Sequence, residues 1–277
     1  MAHAGVARRK RGEAPTRSGS PPRAYRQGMA QAMDLLYGRN AVLEALRAQR
    51  RRPYTLAVAR GAKAEGTLGV ILELARQRGI PVREVEREQL DAMAEGHQGV
   101  ALEASPYPYV DLDDLLKGVG PQSLFLLLDL IEDPQNLGTL LRTADAVQVA
   151  GVVIPERRAA GITPAVVNAS AGAAEYLLVA QVTNLVQAME ALRAAGVWLA
   201  GLEALPDAQL YDQVDWMGPM GLVVGSEGHG MRRLVRETCD FIVRLPMAGH
   251  VSSLNAAVAG SIVLYHAWRL RTAKGGR

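Results

Sequence analysis

Three stretches of the chain gather residue types able to handle a ligand or a hydroxyl group. In DPQNLGTLLRTAD (133–145), Asp133-Pro134 sets a turn, Asn136 and Gly138 enter a helix, and Arg142 follows Asn136 by six residues. Arg142 and Asp145 lie three apart, a spacing that lets them pair on one helix side. In VVGSEGHGM (223–231) an apolar strand runs into a turn with glycines at 225, 228 and 230 around a single carboxylate, Glu227. In LPMAGHVSSLNAAVAGSIVLYHAW (245–268), Pro246 ends a strand and a loop of small polar residues feeds a helix. Ser252 or Ser253 is placed to cap that helix, and Asn255 projects from its first turn.

The middle stretch is not a phosphate loop. Its glycines read GxxGxG rather than GxGxxG, and no Gly-Lys-Ser/Thr follows. A carboxylate would repel a phosphate there, whereas a cationic or hydroxyl-rich ligand suits Glu227. Glycines at the end of a strand let backbone approach a ligand closely, and the carboxyl edge of an open parallel sheet is where ligands bind. Taken singly, each stretch is also what ordinary fold elements look like: a capped helix with a surface Arg–Asp pair, a strand–turn–helix corner, and a serine cap. The last of these leaves Asn255 unexplained. The histidines at 3, 97, 229, 250 and 266 have neither triad nor ligand spacing. With one cysteine, Cys239, the chain has no internal disulfide and no Cys/His pattern for zinc, so no metal is expected. A reducing compartment, the cytoplasm, is the expected setting.

Alternating strands and helices position these stretches. Residues 40–48 have helical spacing with Asn40 at the N-cap, 54–59 read as a strand, and 67–79 as a helix ended by Gly79. A strand at 81–85, a helix at 87–94 and a strand at 99–104 complete a small α/β unit. SPYPYVDLDD (105–114) breaks the pattern and reads as a linker entering a short helix. LFLLLDL (124–130) is apolar on both faces, which implies a parallel sheet covered on both sides. Helix 137–149 and strand 152–154 follow, and Thr163-Pro164 opens another helix. A strand at 177–182 and a helix at 184–195 come next. Strands at 197–201, 221–225 and 241–245, a helix at 231–238 and a closing helix at about 254–271 finish an α/β domain.

The 277 residues divide accordingly into 1–32, a basic tail; 33–105, a small α/β domain; 106–121, a linker; and 122–277, the larger domain. The net charge of +3 is uneven. Residues 1–27 hold seven Lys/Arg against one acid, whereas 106–277 hold thirteen against seventeen. A basic arm suits a polyanion, although a solubilising tail has the same composition. No uninterrupted apolar run reaches the ~20 residues of a membrane helix.

NLGTLLRTA, ASAGAAE (169–175), VVGSEGHGM and LPMAGHVSSLNAAVA, in this order, resemble the motifs of the SpoU-type (TrmH-like) RNA ribose 2′-O-methyltransferases of the SPOUT superfamily. The resemblance spans roughly 122–271. LLYGRNAVLEAL (35–46) and EGHQGVALEA (95–104) resemble the start and end of the small RNA-binding domain that accompanies it. Gln135 stands where the family pattern has histidine. The resemblance implies a parallel-sheet SPOUT domain with a trefoil knot, an exception to unknotted topology, and a homodimer whose active site draws on both subunits. It implies S-adenosylmethionine bound by Gly225, Leu245, Met247 and Leu254, with glycine at 225 because backbone packs on the ligand. Arg142 is implied at the ribose 2′ hydroxyl, oriented with Asn136, Glu227, Ser253 and Asn255. The implied substrate is a guanosine of 23S ribosomal RNA, with transfer RNA, another ribosomal RNA or a non-catalytic RNA-binding role as alternatives.

Overall fold

The computed structural model describes residue 1, residues 33–251 and residues 253–275. The basic tail and Ser252 therefore lie outside the described residues. Met33–Arg277 is one compact unit.

Its first part is a four-stranded mixed sheet. Strand β1 (Asp34–Tyr37) and strand β2 (Pro53–Ala59) both run antiparallel to β4 (Val100–Ala104), and β3 (Val82–Val85) pairs parallel with β2, giving the order β1-β4-β2-β3. Strand β1 was not anticipated, since it exists by pairing with β4 more than sixty residues away. Helix α1 (Arg39–Ala48) buries Ala41, Val42, Ala45 and Leu46, the i, i+1, i+4, i+5 stripe of an amphipathic helix. Asn40 is not its cap. The helix starts one residue earlier, after Gly38, without a side-chain cap. Helix α2 (Gly66–Gln77) and helix α3 (Arg87–Met93) fall where the spacing predicts them.

The segment read as a linker is packed in place. Tyr107 is buried and its hydroxyl donates to the Leu177 carbonyl at 2.7 Å. Burial pushes the Tyr107 hydroxyl up to about 12, so it keeps the proton it donates. Val110 bridges to Ala180 in parallel fashion, and helix α4 (Leu112–Lys117) follows. One apolar core runs through both parts, from Leu36 and Leu46 to Leu126 and Val263.

The second part is a seven-stranded, all-parallel sheet. Its strands are β5 (Leu124–Asp129), β6 (Gly151–Pro155), β7 (Val179–Val182), β8 (Trp198–Leu202), β9 (Gln209–Leu210), β10 (Met220–Gly225) and β11 (Phe241–Arg244), in the order β7-β6-β5-β10-β8-β11-β9. All six residues of β5 are buried, and their alternation sorts them between two cores. Leu124, Leu126 and Leu128 join the core that holds helices α5 (Pro134–Ala146), α6 (Pro164–Ala169) and α9 (Ala256–Gly275). Phe125 and Leu127 join the core of α4, α7 (Leu185–Ala194) and α8 (Arg233–Thr238). A strand apolar at every position thus serves a sheet covered on both faces. Late in the chain, β10 inserts between β5 and β8, so loops distant in sequence meet at the carboxyl edge.

Candidate functional site

Four chain segments converge at that edge: the loops after β5, β8, β10 and β11. The loop after β10 closes on itself, with Ser226 and Gly230 exchanging backbone hydrogen bonds at 3.1 and 3.0 Å. Beyond it, the Arg232 backbone N–H and Nε donate to the buried Asp129 carboxylate at 2.7 and 2.8 Å, fastening the loop to the end of β5. A Cβ on Gly225 would lie 2.3 Å from the Gly230 carbonyl carbon and 2.4 Å from the Met231 nitrogen. Glycine is therefore required there by the loop's own backbone, a constraint additional to the expected packing of backbone on a ligand.

The three stretches meet through one carboxylate. Asn136 Nδ2 donates to Glu227 Oε2 at 3.1 Å, and Asn255 Nδ2 donates to the same oxygen at 3.1 Å and to Asn136 Oδ1 at 2.8 Å. These partners are 91 and 28 residues from Glu227 in sequence. Asn136 is held because α5 begins at Pro134, three residues before its predicted start. Asp133 caps that helix by accepting from the backbone N–H groups of Gln135 and Asn136. Asn255 is itself the cap of α9: its Oδ1 accepts from Ala257 and Val258 N–H at 2.9 and 3.1 Å. The cap is thus not Ser253, and one asparagine both starts a helix and joins a polar network. Ser253 is exposed and makes no hydrogen bond among the described residues.

Beside this junction lies a cavity of about 280 Å³, near the lower end of the ~300–1,000 Å³ usual for small-molecule sites. Gly225, Leu245, Met247 and Leu254 all line it, as do Glu227 and Ser253. His229 lines it too, whereas His250 does not. Sequence reasoning missed Glu203, which also lines the cavity and follows β8 directly. Glu203 Oε2 is buried with no hydrogen-bond partner, and Oε1 faces Arg236 at 3.5 Å. A buried acceptor left unsatisfied in a cavity wall suits a ligand that donates hydrogen bonds. The signal available in the sequence was a carboxylate just past a strand's carboxyl end. Among the described residues there is no cluster of three metal-type ligands, and no helix is long and apolar enough to cross a membrane.

Arg142 is not at this cavity. It lies on the outward face of α5 with Gln135, Thr139 and Ala146, all exposed. The expected pair with Asp145 is absent, and Arg142 makes no ion pair or hydrogen bond among the described residues. Asp145 is half-buried, and desolvation, reinforced by Glu44, raises its carboxyl above the usual range. The outward faces of α5 and α9 are continuous, joined where Thr143 Oγ1 and Ser261 Oγ meet at 2.8 Å. Exposed Val258, Ile262 and Tyr265 form an apolar stripe on α9 beside that contact.

The remaining motif, ASAGAAE, packs rather than lines the cavity. A Cβ on Gly138 would lie 2.5 Å from the Ala169 Cβ, so the glycine of NLGTLLRTA permits α5 to touch the end of α6. Glu175, fully buried in the 3-10 turn Ala173–Tyr176, accepts from Arg51 Nε through both carboxylate oxygens at 2.9 and 3.0 Å. Arg51 also donates to Asp34 Oδ2 of β1 at 2.5 Å, so its pair with Glu175 ties the small sheet to the second part.

Residues 123–265 match the model of the SpoU rRNA Methylase family, and residues 35–110 match that for RNA 2′-O ribose methyltransferase substrate binding. The chain belongs to the SpoU family of RNA methyltransferases. It is 45% identical over 251 residues to the putative TrmH family tRNA/rRNA methyltransferase YacO of Bacillus subtilis, covering 89% of this chain and all of that one. It is 41% identical over 246 residues to the 23S rRNA (guanosine-2′-O-)-methyltransferase RlmB of Pseudomonas putida, covering 87% and 98% of the two chains. Among solved structures, the SpoU methyltransferase AviRb from Streptomyces viridochromogenes in complex with the cofactor AdoMet matches with a TM-score of 0.73. That match has 28% identity and covers 87% of this chain and 91% of that one.

Proposed function

We propose that this protein transfers the methyl group of S-adenosylmethionine to the ribose 2′ oxygen of a guanosine in 23S ribosomal RNA, working as a homodimer. The observation that carries this reading is the junction of Asn136 and Asn255 on Glu227, which itself lines a cavity that all four expected donor-binding residues also line. The fit to the donor rests on charge and on unmet hydrogen bonding. The walls carry two carboxylates, Glu203 and Glu227, and an orphaned buried acceptor, Glu203 Oε2. That lining favours a cationic ligand bearing hydroxyl and amine donors and disfavours a phosphate. The Pseudomonas relative, a 23S rRNA (guanosine-2′-O-)-methyltransferase, supports the choice of substrate, and the AdoMet complex of AviRb supports the choice of donor.

The backbones of Gly225, Leu245, Met247 and Leu254 would hold the adenine and ribose of the donor, while Glu203 and Glu227 face its polar groups. When bound, the sulfonium supplies an already activated methyl group. The chain's task is then to align the 2′ hydroxyl and remove its proton. Glu227, held on one oxygen by two amides, keeps the other for orientation. Arg142 stabilises the charge developing on the 2′ oxygen. A guanidinium has donors only and no site to accept a proton, so the proton passes to a substrate phosphate rather than to Arg142. Because Arg142 is on the outer face of α5, it would serve the partner subunit's cavity, with the apolar stripe of Val258, Ile262 and Tyr265 forming the contact between copies.

The test is transfer of labelled methyl from S-adenosylmethionine to unmodified 23S ribosomal RNA, followed by mapping of the modified nucleotide. A 2′-O-methylguanosine in 23S RNA is expected. Label in transfer RNA alone would keep the chemistry and overturn the substrate. Calorimetry without donor binding would overturn the reading of the cavity.

A further inference from the structure

The EGHQG turn (95–99) carries no part of the chemistry, yet it is built with care. His97 is buried, with Nδ1 accepting from the Gly99 N–H at 2.9 Å and Nε2 lying 2.8 Å from Asp91 Oδ1. Gln98 is held at φ 52°, a strained value for a side-chain-bearing residue. Its side-chain and backbone oxygens accept from Arg39 N–H and Arg39 Nε at 3.0 and 3.2 Å. The turn therefore orients the Arg39 guanidinium. Beside it opens a cavity of about 550 Å³ on the small domain. Arg39, Arg60, Arg87 and Gln98 line it, between small walls such as Ala59 and Gly61.

We infer that this cavity is a cradle for the sugar–phosphate backbone of the substrate RNA, on the strand that leads to the methylated ribose. This inference rests on the functional reading above and adds a site to it. Arg60 is paired with Glu86, which neutralises one of the three guanidiniums. Arg87 and the terminal nitrogens of Arg39 make no hydrogen bond or ion pair among the described residues, which leaves two cations with free donors. Guanidinium forks match phosphate oxygens. No aromatic side chain lines the cavity, so base stacking does not hold the RNA there, and small walls let a backbone approach. A chain of contacts runs from the cradle toward the active edge. Asn168 Nδ2 on α6 donates to the Tyr37 carbonyl at 3.0 Å, next to Gly38 and Arg39. The following residue, Ala169, packs on Gly138, two residues from Asn136. One rigid path of helix contacts thus links the cradle to the Glu227 junction.

The experiment compares the full-length protein with the double variants Arg39→Gln/Arg87→Gln and Arg39→Lys/Arg87→Lys, using transcribed 23S ribosomal RNA. RNA affinity is measured against salt by filter binding, methyl transfer by label incorporation, donor binding by calorimetry and folding by thermal melting. For the glutamine pair, the KM for RNA is expected to rise by about tenfold and the salt slope to shrink by about two. Its kcat, donor affinity and melting should match the parent. The lysine pair should keep the salt slope, because charge rather than fold sets it. An unchanged KM and salt slope in the glutamine pair overturns the cradle. So does a fall in kcat at unchanged RNA affinity. If the parent binds RNA with the expected slope but methylates none, the enzymatic reading fails while the cradle stands.

Discussion

Asn255 does two jobs that one substitution can separate. Its Oδ1 caps α9, and its Nδ2 holds Glu227 and Asn136. Asn255→Asp keeps an acceptor for the Ala257 and Val258 N–H groups, and a carboxylate at a helix N-terminus is favoured by ~0.3–1 kcal/mol. The same change removes both donated bonds and sets a second carboxylate about 3.1 Å from Glu227 Oε2. Two unit charges at that separation repel by roughly 1–5 kcal/mol at an effective dielectric of about 80 down to 20. The network must then bind a proton or let Glu227 swing away. In either case Glu227 loses its alignment, and transfer should fall by roughly tenfold to a thousandfold, at about 1.4 kcal/mol per factor of ten. The cap itself is kept, so any loss in urea unfolding reports the carboxylate repulsion and the lost amide bonds rather than the helix start. Asn255→Ala, by contrast, should destabilise the protein by about 1 kcal/mol through loss of the cap and also impair transfer. Single-turnover methyl transfer and urea unfolding of both variants give the two readings. If Asn255→Asp transfers methyl at the parental rate, Asn255 is a cap alone and the Glu227 junction has no part in the chemistry.

Arg142→Ala should abolish transfer while leaving donor affinity within about twofold, since Arg142 lies outside the cavity; full activity would remove Arg142 from the mechanism. Glu203→Gln should weaken donor binding by about tenfold, the loss of one charged hydrogen bond, measured by calorimetry; parental affinity would mean Glu203 does not touch the donor. Ile262→Asp, which buries a charge if the α9 stripe meets its copy, should yield monomers by sedimentation and an inactive enzyme; a dimer of unchanged stability would put the interface elsewhere. Glu175→Ala leaves the Arg51 guanidinium buried and should destabilise by about 3–5 kcal/mol, whereas Arg51→Met/Glu175→Leu should lose far less. Equal losses in urea unfolding would show that packing, not charge, matters there.

The local patterns carried most of the fold. An unbroken apolar run at 124–130 reported a doubly covered parallel strand, and glycine or proline marked the ends of many helices. The misses were short or non-local. Strand β1 exists because β4 pairs with it across more than sixty residues, which no local period encodes. The packed state of 105–111 depends on the Leu177 carbonyl that Tyr107 reaches. At the site, residue types and motif order identified Asn136, Glu227 and Asn255, together with the four apolar and glycine positions that line the cavity.

By itself the sequence determined which side chains are of a type that could do chemistry, because side-chain type, cap spacing and hydrophobic period are local properties of the chain. Only the tertiary structure decided which of them meet. Insertion of β10 between β5 and β8 brings Glu227 to Asn136 across 91 residues. The rotation of α5 that buries Leu137, Leu140, Leu141 and Ala144 turns Arg142 outward, away from the cavity. A strand's neighbours and a helix's buried face are set by burial of the whole core, so the same residues could not have reported from sequence that three join one network while the arginine faces outward.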